Sequence, residues 1–299
     1  MADKKRPILT ALVILGVVAL FLGTSMVIII KIIDPTSNLS FADRIGVILI
    51  DGAILDSRAT TSQLVTFRKD KKIKAIILRI NSPGGAVGPT QEIHREIQKT
   101  AKTKKVVASL GGVAASGGYY IASAANKIVA NPGTIIGSIG VLMEFVYLED
   151  LLEKIGIKFE VLKSGEFKDI GSPHRELTKR DREILNSLIS DIQSQFVAAV
   201  ANGRELALDE VSQIADGRVF SGVKAKELDL IDVLGNFQDA VDVAKDMAAI
   251  EGEAILVYPR KSKAQLWELF LEGTARSVTK VLHSIKPQLE YKWNGFKGH

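Results

Sequence analysis

One serine, Ser116, sits in the stretch GGVAASGGYY (111–120), where most of its neighbours are glycine or alanine. Residues that small let a substrate, or a second backbone, come close. The stretch follows the strand-like run VVAS (106–109) and leads into the helix-like run GGYYIASAA. A strand–turn–helix setting is how a nucleophilic serine presents its hydroxyl. The amide of Gly117 would open that helix, a place where a backbone N–H can hold an oxyanion. Ala114 stands where a full G-x-S-x-G would have glycine, and no Gly-Lys-Ser/Thr marks a phosphate loop. Two more glycine-rich turns, NSPGG (81–85) and PGTIIGSIGV (132–141), flank the serine in sequence. The amides of Gly84 and Gly85 can face a substrate oxygen, or the pair can simply serve a tight turn that needs positive φ.

A serine hydroxyl is a weak nucleophile and needs a base. His174, in the polar loop GSPHREL (171–177) with Asp169 near it, is one candidate. A lysine is another, since a neutral amine can take the serine proton once burial lowers its pKa from ~10.4. Lys168 lies in SGEFKDIGSP (164–173), with Lys163 and Lys158 nearby. Spacing does not choose among them.

The elements that would position these residues read as an α/β domain. RIGVILI (44–50) and KAIILRI (74–80) have the Ile/Val density of buried strands, with shorter candidates at 106–109, 127–130 and 159–163. Helical patterns lie at about 59–70, 88–102, 117–125 and 147–155. Strands alternating with helices predict largely parallel pairing, and a turn after a parallel strand leads to the sheet edge where ligands bind. A long helix is predicted over about 178–202, opened by Thr178 with Asp181 in its first turn and stopped near Gly203. Two or three more helices fall within 208–249.

The chain has 299 residues, a formal charge of +5, 46% hydrophobic residues and no cysteine. That excludes disulfides, thiolate nucleophiles and cysteine-based zinc sites, and the modest charge does not call for nucleic acid. Residues 8–30 carry no charge, and as a helix they cover about 35 Å, enough for a transmembrane anchor. Lys4, Lys5 and Arg6 just before it place residues 1–7 in the cytoplasm and the rest outside it. Residues 31–43 read as a linker, 44–258 as the catalytic domain, and 259–299 as a basic amphipathic tail that caps the domain, packs on another subunit or lies on the membrane.

NSPGG, GGVAASGGYYIASAANKIVANPGTIIGSIGV, KSGEFKDIGSPHRELT and GRVFSGVKAKELDLID, in that order between about residues 45 and 250, resemble the signal peptide peptidase A (protease IV) family in its short, single-domain form. The resemblance implies a membrane-anchored serine endopeptidase with a Ser/Lys dyad, on the Clp protease/crotonase-like spiral of ββα units. It implies Ser116 as nucleophile, Lys168 as general base, Ser138 as the residue orienting the lysine, and the amides of Gly85 and Gly117 as the oxyanion hole, with no cofactor and no metal. It makes His174 a bystander. The implied substrates are cleaved signal peptides and other extended hydrophobic peptides, and the implied assembly is a ring, an octamer, with neighbouring subunits completing each site. Asp229 stands where the family usually has glycine, and aspartate tolerates left-handed backbone better than most residues. The rival readings are a peptide-binding membrane scaffold of the same fold and a crotonase-like acyl-CoA enzyme; an extracytoplasmic domain speaks against the latter.

Overall fold

The computed structural model describes residues 13–25, 43–259 and 289–292. Residues 13–25 form helix α1, within a unit separate from the one that begins at Asp43. Among the described residues no helix is long and apolar enough to cross a membrane. The two ends of the 8–30 segment, the linker, and the tail apart from 259 and 289–292 lie outside the described residues.

The main sheet is built on β1 (Arg44–Asp51), β2 (Ile73–Ser82), β4 (Lys105–Ala115), β5 (Lys127–Ala130), β9 (Val233–Leu234) and β10 (Ile255–Val257). They lie in the order β10-β1-β2-β4-β5-β9, every pair parallel. Strands buried on both faces need apolar residues at consecutive positions. In β1, Ile45 and Val47 join one core while Ile48 and Ile50 join the other; in β2, Ala75 and Ile77 are opposed in the same way by Ile76, Leu78 and Ile80. The first face is covered by α9 (Phe237–Met247). The second packs against α2 (Arg58–Lys69), α3 (Val87–Ala101), α4 (Gly117–Ala122) and α6 (Lys179–Arg204). Helix α5 (Glu149–Lys154) is exposed, and α7 (Leu208–Ile214) and α8 (Gly222–Glu227) follow α6, so 208–249 holds three helices.

Two strand expectations change. VVAS is the first part of an eleven-residue strand that runs on to Ala115. The candidate at 159–163 forms no strand, and its apolar side chains Phe159, Val161 and Leu162 are exposed. Helix α6 opens as expected, with the Thr178 side chain accepting from the Asp181 amide and the Asp181 carboxylate accepting from the Thr178 amide. Asp229 does adopt left-handed backbone, at φ 54°.

One buried group makes this core sensitive to acid. The His94 ring lies 4.7 Å from the Tyr120 ring, which lies 4.9 Å from Phe196. Among the described residues its Nε2 is buried without a hydrogen-bond partner. Burial, helped by the Arg95 cation, pushes its pKa down to about 4 from 6.5. The unfolded chain therefore takes the proton first, and stability present above about pH 6.5 is lost as pH falls through about 4. We predict that unfolding free energy in urea falls by about 2–3 kcal/mol from this group between about pH 7.5 and about pH 4.5. His94→Phe should lose that part of the pH dependence.

Candidate active site

Ser116 occupies the single residue between β4 and α4 and holds φ 51°, ψ −117°. Only a surrounding structure that over-determines the backbone keeps an L-residue there. Its amide donates to the Gly137 carbonyl at 2.7 Å, and its carbonyl accepts from the Tyr120 amide at 2.8 Å. The two tyrosines that follow clamp α4 from two sides. The fully buried Tyr119 hydroxyl donates to the Leu230 carbonyl at 2.8 Å, and Tyr120 packs between His94 and Phe196.

The glycines upstream make a bulge. Ile80 pairs with Leu110, but Ser82 pairs with Ala114, so β4 has extra residues at 111–113. The Asn81 side-chain oxygen accepts from the Val113 amide at 3.2 Å and lies against the face of Gly111, where a Cβ would come within 3.3 Å of it. Past this bulge β4 leaves β5 and pairs in parallel with β6 (Ile135–Gly137). Ala115 and Gly137 are partners, so Ser116 and Ser138 leave the ladder side by side, both with left-handed φ, 51° and 49°. The Ser138 amide donates to the Arg218 carbonyl at 2.8 Å. Antiparallel pairing of β6 with β8 (Val219–Phe220) fixes that turn from behind, which is the structural role of the GRVFSG segment. The Ser116 hydroxyl is 3.4 Å from the Gly140 carbonyl, a long contact.

The first turn of α4 sits on the NSPGG turn. A Cβ on Gly118 would lie 2.5 Å from the Ser82 carbonyl oxygen. The Ser82 hydroxyl accepts from the Gly84 amide at 3.1 Å, and Gly84 turns at φ 102° into β3 (Gly84–Ala86). There the Ile54 amide donates to the Gly84 carbonyl and the Ala86 amide donates to the Ile54 carbonyl, at 2.9 and 2.8 Å. A Cβ on Gly85 would fall 2.2 Å from the Ile54 oxygen. Register thus sets Ser116 beside Ser138, and the approach of Gly118 to the Ser82 carbonyl brings the start of α4 onto the NSPGG turn. A hydroxyl at such a strand-to-helix turn, with the Gly117 amide opening the helix, can attack a carbonyl and place the oxyanion at that amide.

One neighbour was not expected from the sequence. Residues Leu289–Lys292 form β11, antiparallel to β3 on one side and to β7 (Leu142–Met143) on the other. Tyr291 is opposite Gly85, and Glu290 is opposite both Ala86 and Leu142. The alternating LEYK run was the available signal; reading the tail by helical spacing obscured it.

The lysine segment lies between α5 and α6. Lys163 is committed: its ammonium donates to the Asp169 carboxylate at 2.8 Å and the Glu166 carbonyl at 3.0 Å. Arg180 donates to Glu166 at 2.7 Å and lies 5.2 Å over the Phe167 ring. Arg175 grips Asp169 through Nε at 3.0 Å and Nη2 at 2.8 Å. Those bonds, Arg175 foremost and then Lys163, hold the Asp169 carboxyl well below the usual carboxylate range. Lys168 is exposed, and among the described residues its side chain has no hydrogen-bond or ion-pair partner. His174 stacks on Phe159 at 4.8 Å and bonds to the Ser172 hydroxyl at 2.8 Å; among the described residues it makes no contact with Ser116.

Comparison with known sequences bears on this arrangement. The profile of Peptidase family S49 matches residues 98–251, and that of Clp protease matches 36–136. The chain is 44% identical over 213 residues to a candidate protease of Synechocystis, covering 71% of this chain and 77% of that one. It is 37% identical over 217 residues to Protease 4 of Salmonella typhi, covering 69% of this chain and 35% of that one. It is 34% identical over 198 residues to a candidate signal peptide peptidase SppA of Enterococcus faecium, covering 66% of this chain and 58% of that one. The Clp protease match and the mixed sheet together give a Clp protease-like α/β fold.

Gly118→Ala should force α4 away from the Ser82 carbonyl. We expect it to cost about 1–3 kcal/mol of stability. It should also slow labelling of Ser116 by a fluorophosphonate probe by at least about tenfold, read by intact-mass spectrometry.

Proposed function

The chain belongs to peptidase family S49, that of signal peptide peptidase A and protease IV, and from this we propose that it is a membrane-anchored serine endopeptidase cutting extended peptides with Ser116 and Lys168. The observation that carries the reading is β11: a stretch of extended backbone lies antiparallel between β3 and β7, with Tyr291 opposite Gly85. Main-chain pairing of that kind recognises a peptide largely irrespective of its side chains. It suits a peptidase acting on cleaved signal peptides and other hydrophobic segments.

In this reading the neutral amine of Lys168 takes the Ser116 proton as Oγ attacks the scissile carbonyl. The amides of Gly85 and Gly117 hold the oxyanion. Lys168 then gives the proton to the leaving amine, and an acyl ester remains on Ser116. Water, deprotonated by the same lysine, hydrolyses the ester. Ser138 orients the lysine amine. The exposure of Lys168 in a single chain is what a site completed between subunits of a ring requires, and we place an octamer there. Residues 8–30 anchor the protein, with the N-terminus cytoplasmic and the catalytic domain outside. The exposure of Lys168 equally suits the second reading, a peptide-binding scaffold with little activity.

Cleavage of a synthetic hydrophobic signal peptide by the full chain in detergent separates the two. We expect Ser116→Ala and Lys168→Ala each to lower kcat by at least about 10³-fold, with the wild-type rate rising toward alkaline pH as the amine deprotonates. Binding without cleavage, by a preparation shown to be oligomeric, would favour the scaffold. Tyr291→Pro removes a ladder donor from β11 and should lower KM if residues 289–292 compete with substrate.

A further inference from the structure

The segment that carries Lys168 has no helix or strand between Gly156 and Thr178, yet the side chains on either side of Lys168 are tied down. Glu166 and Phe167 are held by Arg180, and Asp169 by Lys163 and Arg175. Arg175 does more than pair with Asp169. Its remaining nitrogen, Nη1, donates to the Asp181 carboxylate at 2.6 Å and to the Glu176 carbonyl at 2.9 Å. Asp181 is itself fixed, because its carboxylate accepts from the Thr178 amide at 3.0 Å and its side chain is only 2% exposed. It belongs to the first turn of α6, whose Ile192, Phe196 and Val200 lie in the main core. An unbroken chain of contacts therefore runs from the core through α6, Asp181, Arg175 and Asp169 to the backbone at Lys168.

We propose that Arg175 is the positioning residue of the dyad: its guanidinium spans Asp169 and Asp181 and thereby fixes where Lys168 is presented. The proposal rests on Lys168 being the base. Arginine suits the task for a geometric reason. Its planar fork makes two parallel bonds to one carboxylate and still reaches a second, whereas lysine offers a point charge on a flexible stem. The group is shielded enough to hold its shape, with side-chain exposures of 12% for Asp169 and 23% for Arg175. Lys163 remains on Asp169 when Arg175 is removed, so the loop keeps one tie and the fold survives.

The consequence is specific to turnover. Neither Arg175 nor Asp181 belongs to the β3-β11-β7 sheet, so substrate binding should be spared. A base displaced by about 1 Å costs on the order of 10²-fold in rate. We expect Arg175→Ala to lower kcat on the signal-peptide substrate by about 10–100-fold with KM changed less than about twofold. Arg175→Lys should recover part of the loss, and millimolar guanidinium added to Arg175→Ala should recover more. Circular dichroism and Tm, with assays well below the variant's Tm, separate this from unfolding. Wild-type kcat in Arg175→Ala, or a loss that appears in KM, or no rescue by either route in a folded and oligomeric variant, would overturn the proposal. If instead wild type is inactive, or Lys168→Ala remains active, it is the dyad itself that fails.

Discussion

Ser116 holds a backbone conformation, φ 51° and ψ −117°, that costs an L-residue on the order of 1–3 kcal/mol, and much of the structure around it exists to impose that conformation. The Gly137 carbonyl takes its amide, and the Tyr120 amide takes its carbonyl. Tyr119 and Tyr120 then lock the helix that begins one residue later, one to Leu230 and the other against His94 and Phe196. A serine that only filled space would relax. This one cannot, because the strand before it and the helix after it are both pinned by the core.

The same constraint explains the unusual density of glycine. The bulge at 111–113 lets β4 change partners from β5 to β6, which delivers Ser138 beside Ser116. Gly118 lets the helix close onto Ser82, and Gly85 lets β3 close onto Ile54. At both positions the obstacle is a backbone carbonyl, which cannot swing aside as a side chain can. Strain at one residue is thus accompanied by close approaches at two others, Gly85 and Gly118, neither of which has room for a Cβ.

Electrostatics plays its part in the segment between α5 and α6. The Lys163–Asp169–Arg175–Asp181 series is made of short, charge-assisted bonds in a segment without regular secondary structure, where backbone ladders are not available to fix position. It engages Lys163 and leaves the Lys168 side chain without a partner among the described residues. Val146, Leu151, Ile155, Phe159 and Leu162, in the same stretch of chain, are exposed.

Much of this was legible in the chain itself. The Ile/Val runs of β1 and β2 could only be buried strands, the Thr178/Asp181 pair marked the start of α6, and the small-residue tract around Ser116 announced a tight strand-to-helix turn. Those features are local: periodicity, capping and steric allowance are set by neighbours in sequence. What the sequence could not decide is non-local. The bulge depends on Asn81 reaching Val113, the Ser138 turn on Arg218, and β11 on two strands more than a hundred residues away. The exposed 159–163 run had strand-like residues but no partner strand to pair with, so it formed none. That Lys163 is taken up by Asp169 was likewise decided in space, because ion pairing depends on distances that only the folded chain sets.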